Sequence, residues 1–101
     1  MLREHIIKRF SRHKDWPKVR KAHLKKYGFC AICGAETRLE VHHIIPVRLF
    51  PSGELDPYNL ITLCMNRSRK CHFVFGHVWN WKKFNVYILT DARVWSHRRK
   101  H

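Results

Sequence analysis

Acidic residues are scarce in this chain: 7 Asp and Glu stand against 21 Lys and Arg in 101 residues, a formal charge of +14. That imbalance strains a compact fold unless a polyanion is the usual partner, and nucleic acid is the first candidate. Long apolar runs are missing as well. No stretch reaches the roughly 18 residues of a membrane span, and the apolar clusters are broken by His, Lys or Asn, so no membrane role is expected. The opening MLREHIIKRFSR has neither the apolar h-region nor the small-residue cleavage site of a secretory signal, so a cytoplasmic, reducing compartment is expected. There is no Gly/Ser linker, composition break, repeat or low-complexity tract, and residues 1–101 read as one domain.

Hydrophobic residues make up 45% of the chain and aromatics 13%, enough for a core but of a size that often needs a staple. The four cysteines offer one, as Cys30-x2-Cys33 and Cys64-x6-Cys71. In a reducing compartment, paired cysteines are metal ligands more often than disulfides, and two thiolate knuckles supply the tetrahedron that zinc prefers. The second spacing exceeds the usual two to four or so residues. Three of its six residues, Arg67, Arg69 and Lys70, are basic, so the insertion reads as a loop bulging from the knuckle. Two disulfides or four buried thiols are the alternatives. A zinc closed by four thiolates has no open position, so it would hold the fold and do no chemistry.

Residues 1–28 read as a basic helical segment. Ile6, Ile7 and Phe10 offer one apolar face, and Asp15 and Pro17 start a second helix through Lys26 that Gly28 ends. Residues 29–85 form the candidate core. Leu39 to Ile45 reads as a strand closed by Pro46, and Asn59 to Leu63 as a returning strand ending at Cys64. Between them, 46–57 holds three prolines and Gly53 and reads as a loop long enough to be functional. A helix is expected from Cys71 to Trp81. Residues 86–101 form a basic extension, in which Asp91 would cap a last short helix.

Histidine pairs carry the chemical signal. His42 and His43 are adjacent on a strand and so point to opposite faces: one can bind a metal while the other addresses a water. The order of motifs then matters: Cys-x2-Cys, Leu-Glu-Val-His-His-Ile-Ile-Pro, Glu-Leu-Asp-Pro-x-Asn-Leu-Ile-x-Leu-Cys and Cys-His. From Cys30 to His72, and more loosely through Phe75-Gly76-His77 to Asn85, this resembles the HNH endonuclease family in its cysteine-framed phage and bacterial form. The resemblance implies an α+β fold: a small zinc-stabilised ββα-metal, treble-clef-like unit, here with flanking basic helices. It implies His43 as general base, Asn59 as the amide tying the strands together across the loop, and His42 and His72 as ligands of one catalytic divalent ion, with His72 counted in the catalytic set. His42 stands where the family more often has Asp, which favours manganese, nickel or zinc over magnesium. On a regular helix His77 diverges from His72 by about 140°, so joint chelation would need a distorted turn at Gly76. His77 is kept as a further candidate ligand or phosphate contact.

DNA is the expected partner ahead of RNA. Lys18, Arg20, Lys21, Lys25 and Lys26, then Arg67, Arg69 and Lys70, then Arg98, Arg99 and Lys100 are candidate phosphate contacts, with a solvated face as the alternative for each. Trp79 and Trp81 could stack on bases, but tryptophan at helical spacing is more often core, and packing is expected. Glu54 and Asp56 are expected in turn and cap roles. A metal-dependent nuclease acting as a monomer would nick one strand per engagement, and a double-strand break would need a dimer. A non-catalytic zinc-finger-like binder of DNA or RNA is the competing function.

Overall fold

The computed structural model describes residues 12–99, with side chains through Ser96. Helix α1 spans Trp16–Lys26, strand β1 Leu39–His43, strand β2 Leu60–Cys64, and helix α2 Ile88–Arg99. Residues 1–11, Lys100 and His101, and the side chains of Arg98 and Arg99, lie outside what is described, so the proposed amphipathic start and the tail contacts do too. No described helix is long and apolar enough to cross a membrane. The result is a small α+β fold consistent with the ββα-metal type.

The two strands pair antiparallel, with Leu39 opposite Cys64, Val41 opposite Thr62 and His43 opposite Leu60. Alternation gives the sheet two distinct faces. Val41, His43 and Thr62 turn towards α1, where Trp16 meets the His43 ring at 4.6 Å and the Thr62 hydroxyl donates to the Tyr27 carbonyl at 2.9 Å. His42 and Leu63 turn the other way, onto Gly76. With a layer on each side, every residue of β2 is buried, which is why Leu-Ile-Thr-Leu-Cys reads as a continuous apolar run and not an alternating one. Ile32, Ile44, Ile61, Leu63, Ile88 and Ala92 gather around the buried cysteines into one core cluster, so α2 is fastened through Ile88 and Ala92.

Three local expectations are corrected. Asp15 precedes α1, but its side chain makes no cap hydrogen bond; only Pro17 in the first turn behaves as read. Asp91 caps nothing, since α2 begins three residues earlier; its carboxylate instead accepts from Asn85 Nδ2 at 2.7 Å inside the first turn. The helix from Cys71 to Trp81 is the largest miss. After Cys71 the chain makes a wider π-helical turn at His72–Gly76 and leaves helix at His77, with Val78 and Trp79 at φ 51° and 65°. Gly76 lets this turn press on the sheet, because a Cβ there would sit 3.1 Å from Leu63 Cδ1 and 3.2 Å from both His42 Cε1 and His72 Cδ2.

Candidate metal centres and nuclease site

The first knuckle folds back by bonds from Gly34 N to the Cys30 carbonyl at 2.9 Å and from Cys30 N to the Ala35 carbonyl at 2.8 Å, with Gly34 at φ 81°. The second is wider. Asn66 braces it, accepting from Lys70 N at 2.8 Å and exchanging bonds with Thr37, while Arg67, Ser68, Arg69 and Lys70 stay exposed and Cys71 returns to the buried cluster. All four cysteines are free thiols, and their sulfurs lie within 4.8 Å of one another, Cys33 and Cys64 at 3.5 Å. That separation is far beyond an S–S bond of about 2.05 Å. Four sulfurs about 2.3 Å from one zinc would stand about 3.8 Å apart, which fits.

The surroundings suit thiolates. The Cys71 thiol and, against burial, backbone groups of Cys33, Ile32 and Cys64 hold Cys30 down to about 4. For Cys64, burial pushes up, yet the backbone of Asn66 and Cys71 and the Cys33 thiol leave it below its ordinary value. Its neighbours cannot follow: Cys71 is pushed up chiefly by the Cys30 thiolate, and Cys33 chiefly by burial. Four anions this close cannot all ionise beside one another without a cation, and these cysteines could hold a zinc ion.

A second cluster lies across the sheet. His42 projects from β1, while His72 and His77 open and follow the π-helical turn, and one ring nitrogen of each lies within 4.8 Å of the others. A wider turn brings residues five apart back over one another, which a regular helix does not. His77 is therefore beside His72 despite the 140° argument. His42 Nδ1 is 3.0 Å from His72 Nε2, and His77 Nε2 is 3.2 Å from the same atom.

Proton positions decide what this cluster can do. His72 Nδ1 lies 2.8 Å from Glu40 Oε1, and His77 Nδ1 lies 2.8 Å from the Lys83 carbonyl. Both oxygens only accept, so both Nδ1 atoms donate, and each neutral imidazole then has a bare lone pair on Nε2. Two lone pairs facing each other at 3.2 Å repel; a shared cation relieves them. Burial, then His72, His77 and His43, push His42 down to about 3, and burial also lowers His77 against the Lys83 carbonyl. His42 Nε2 is buried without a partner, so no hydrogen bond competes for the choice of tautomer. Neutral imidazoles with converging lone pairs are a divalent-ion donor set, and nitrogens about 2.1 Å from an ion sit roughly 3 Å apart.

On the other face, His43 is buried, at 9% exposure, between Trp16 and the loop, with Nε2 donating to the Glu54 carbonyl at 2.9 Å. That leaves Nδ1 as its basic nitrogen. Burial lowers its pKa, opposed by the Glu54 carbonyl and assisted by Arg12. The burial does not remove it from the site. A cleft of about 390 Å³ runs along β1 and is lined by His42, His43, His72 and His77 together with Arg12, Arg48 and Trp81. Asn59, also buried, closes the 46–57 loop: its amide donates to the Ile45 and Gly53 carbonyls at 3.0 and 3.1 Å, and its oxygen accepts from Ile45 N at 2.9 Å. Asp56 accepts from Tyr58 N at 2.9 Å in the cap role expected of it, and Glu54 accepts from His13 N at 2.7 Å.

Lys18, Arg20, Lys21, Lys25, Lys26, Arg67, Arg69 and Lys70 are all exposed. Arg12 and Arg48, which were not singled out from sequence, are the guanidinium groups that line the cleft itself. Glu40 was missed too, although alternation puts it on the His42 face two residues earlier. Trp16, against His43, had no local signal. The packing expected of Trp79 and Trp81 is corrected, since they are 69% and 52% exposed.

No curated protein and no solved structure matches this chain. Residues 30–73 match the family model described as HNH endonuclease, a span that contains both knuckles, both strands and His42, His43, Asn59 and His72. With the match enclosed by four clustered cysteines and carried on an antiparallel strand pair, residues 30–73 are similar to the HNH endonuclease domain, and the cysteine cluster is consistent with its zinc-binding type.

Proposed function

We propose that the protein is a metal-dependent endonuclease that hydrolyses DNA phosphodiester bonds to 5′-phosphate and 3′-hydroxyl ends, nicking one strand per engagement. The observation that carries this is the convergence of three imidazole nitrogens, two of them with their outer nitrogens donated to Glu40 and the Lys83 carbonyl, in a cleft that His43 also lines. His42, His72 and His77 hold the divalent ion, and the cysteine zinc holds the frame. Bound there, the ion supplies charge stabilisation for the phosphate and the departing 3′ oxygen. Three neutral ligands favour manganese, nickel or zinc over magnesium.

His43 takes the proton from the attacking water on Nδ1, since Nε2 is committed to the Glu54 carbonyl. Burial keeps that nitrogen unprotonated at neutral pH. Asn59 positions the base by tying Ile45, just past it, to the Gly53 carbonyl across the loop. Arg12 and Arg48 contact the phosphate in the cleft, and the exposed lysines and arginines of α1 and the second knuckle hold the flanking backbone without reading sequence. One catalytic centre per chain gives one cut per encounter.

Supercoiled plasmid, titrated with manganese, nickel, zinc and magnesium and then with chelator, tests the reading. Nicked circles should appear first and linear molecules later, with manganese or nickel ahead of magnesium. Retardation of the plasmid without nicking under every metal would leave the non-catalytic DNA binder instead.

A further inference from the structure

Trp79 and Trp81 do not serve the core. Trp81 is 52% exposed on the wall of the cleft, its ring centroid 4.8 Å from His77 and 5.4 Å from His72. Trp79 is 69% exposed, and Phe73 bridges the two rings at 5.9 and 4.9 Å. Large apolar rings left in water beside a polar cluster are costly unless something covers them. The backbone that presents them is also unfavourable: Val78 and Trp79, one β-branched and one bulky, are both left-handed at φ 51° and 65°.

The segment is pinned in this form. His77 Nδ1 donates to the Lys83 carbonyl at 2.8 Å, Arg48 Nη2 to the Lys82 carbonyl at 3.2 Å, Trp79 N to the Phe73 carbonyl at 3.2 Å and Asn85 N to the Gly76 carbonyl at 3.1 Å. The same π-helical turn that swings His77 back to His72 throws the two tryptophans outward. A rigid aromatic plane beside a cationic cleft, on a chain of formal charge +14, matches a nucleobase whose phosphate lies in the cleft. In a duplex both faces of each base are covered by its neighbours, so only an unstacked base can present a face to such a ring.

We infer that Trp81, with Trp79 behind it, is a stacking platform for an unpaired base next to the scissile phosphate, so that the preferred substrate is DNA that is single-stranded, bulged or frayed at the cut. The inference rests on the histidine cluster being the phosphodiester site. The rings set substrate choice; they take no part in bond breaking.

The test uses the full-length protein with its zinc and three labelled oligonucleotides: a perfect duplex, the same duplex with one unpaired base, and that bulged duplex with the base replaced by an abasic residue. Binding by anisotropy without added divalent ion, and cleavage with manganese, are both measured. The unpaired base should improve binding and cutting about tenfold over the duplex and over the abasic control, the scale expected for stacking one base. Trp81→Ala should reduce that preference to within about twofold, Trp81→Phe should keep most of it, and both should bind manganese as the wild type does. Equal treatment of the base and its abasic control by the wild type overturns the platform, whether or not a mutant folds. Chelator-sensitive cutting without that contrast leaves the nuclease reading standing alone. The binding contrast without cutting of any substrate removes the nuclease reading and overturns the placing of the platform at a scissile phosphate, leaving only a surface that binds unpaired bases.

Discussion

Glu40 should control how tightly the histidine cluster holds its ion. Its carboxylate accepts from His72 Nδ1 at 2.8 Å, and that bond keeps the His72 Nε2 lone pair turned into the cluster. Removing such an outer partner generally costs about 10- to 100-fold in metal affinity. The Glu40 side chain is 48% exposed, so water can replace part of the bond, and the lower end applies: about tenfold for Glu40→Ala, equivalent to about 1.4 kcal/mol. Glu40→Gln keeps an accepting oxygen and loses only the charge, so about threefold is expected. Calorimetric titration of manganese into the zinc-loaded protein measures both. At saturating manganese the cleavage rate should return to within about twofold of wild type, because His43 works from the opposite face and is untouched. Wild-type affinity in Glu40→Ala would refute the assigned tautomer of His72, and with it the argument that lone pairs converge here.

His43→Ala should lower the cleavage rate by about 100-fold or more while manganese still binds, measured as the nicking rate at saturating metal. Because burial holds His43 below its usual 6.5, the wild-type rate should be flat above neutrality and fall only as pH drops below that value. The same depression acts on stability: unfolded His43 and His42 bind protons that the folded state refuses. Stability of protein with an empty histidine site should therefore fall as pH drops below 6.5, by up to about 1.4 kcal/mol per pH unit per group, read from urea melts between roughly pH 7 and 5.5. Asn59→Ala leaves the Ile45 amide and the Ile45 and Gly53 carbonyls without their partner, and should cost about 2–3 kcal/mol in the same melts, with a loss of rate that manganese does not restore. Cys33→Ser should release zinc and lose the cooperative melt, seen by metal analysis and circular dichroism, whereas His77→Ala should keep both.

What sequence could reveal follows from the range of each interaction. The knuckles and the strand pair were legible because their signals are local: paired cysteines, β-branched runs and a proline-rich loop between them. The opposite facing of His42 and His43 follows from alternation alone. Glu40 was legible by the same rule, two residues from His42, and was overlooked. The π-helical turn was not legible. His72, Val74, Phe75, Val78 and Trp79 fit helical spacing, and the departure from it depends on Gly76 meeting Leu63 and the His42 ring, a contact between distant parts of the chain. Left-handed Val78 and Trp79 have no residue signature, since glycine or asparagine would be expected there. The two tryptophans were thus misread from a single error of period, and the same error left His77 only a further candidate ligand although it lies beside His72. Trp16, Arg12 and Arg48 reach the site through tertiary packing, which one sequence does not expose.

Anomalous diffraction from manganese-soaked crystals addresses the central claim most directly. A peak should lie within about 2.3 Å of His42 Nδ1, His72 Nε2 and His77 Nε2 together, separate from the zinc peak among the four sulfurs. A zinc peak alone, or manganese bound elsewhere while the three imidazole nitrogens stay in contact without it, would contradict the account.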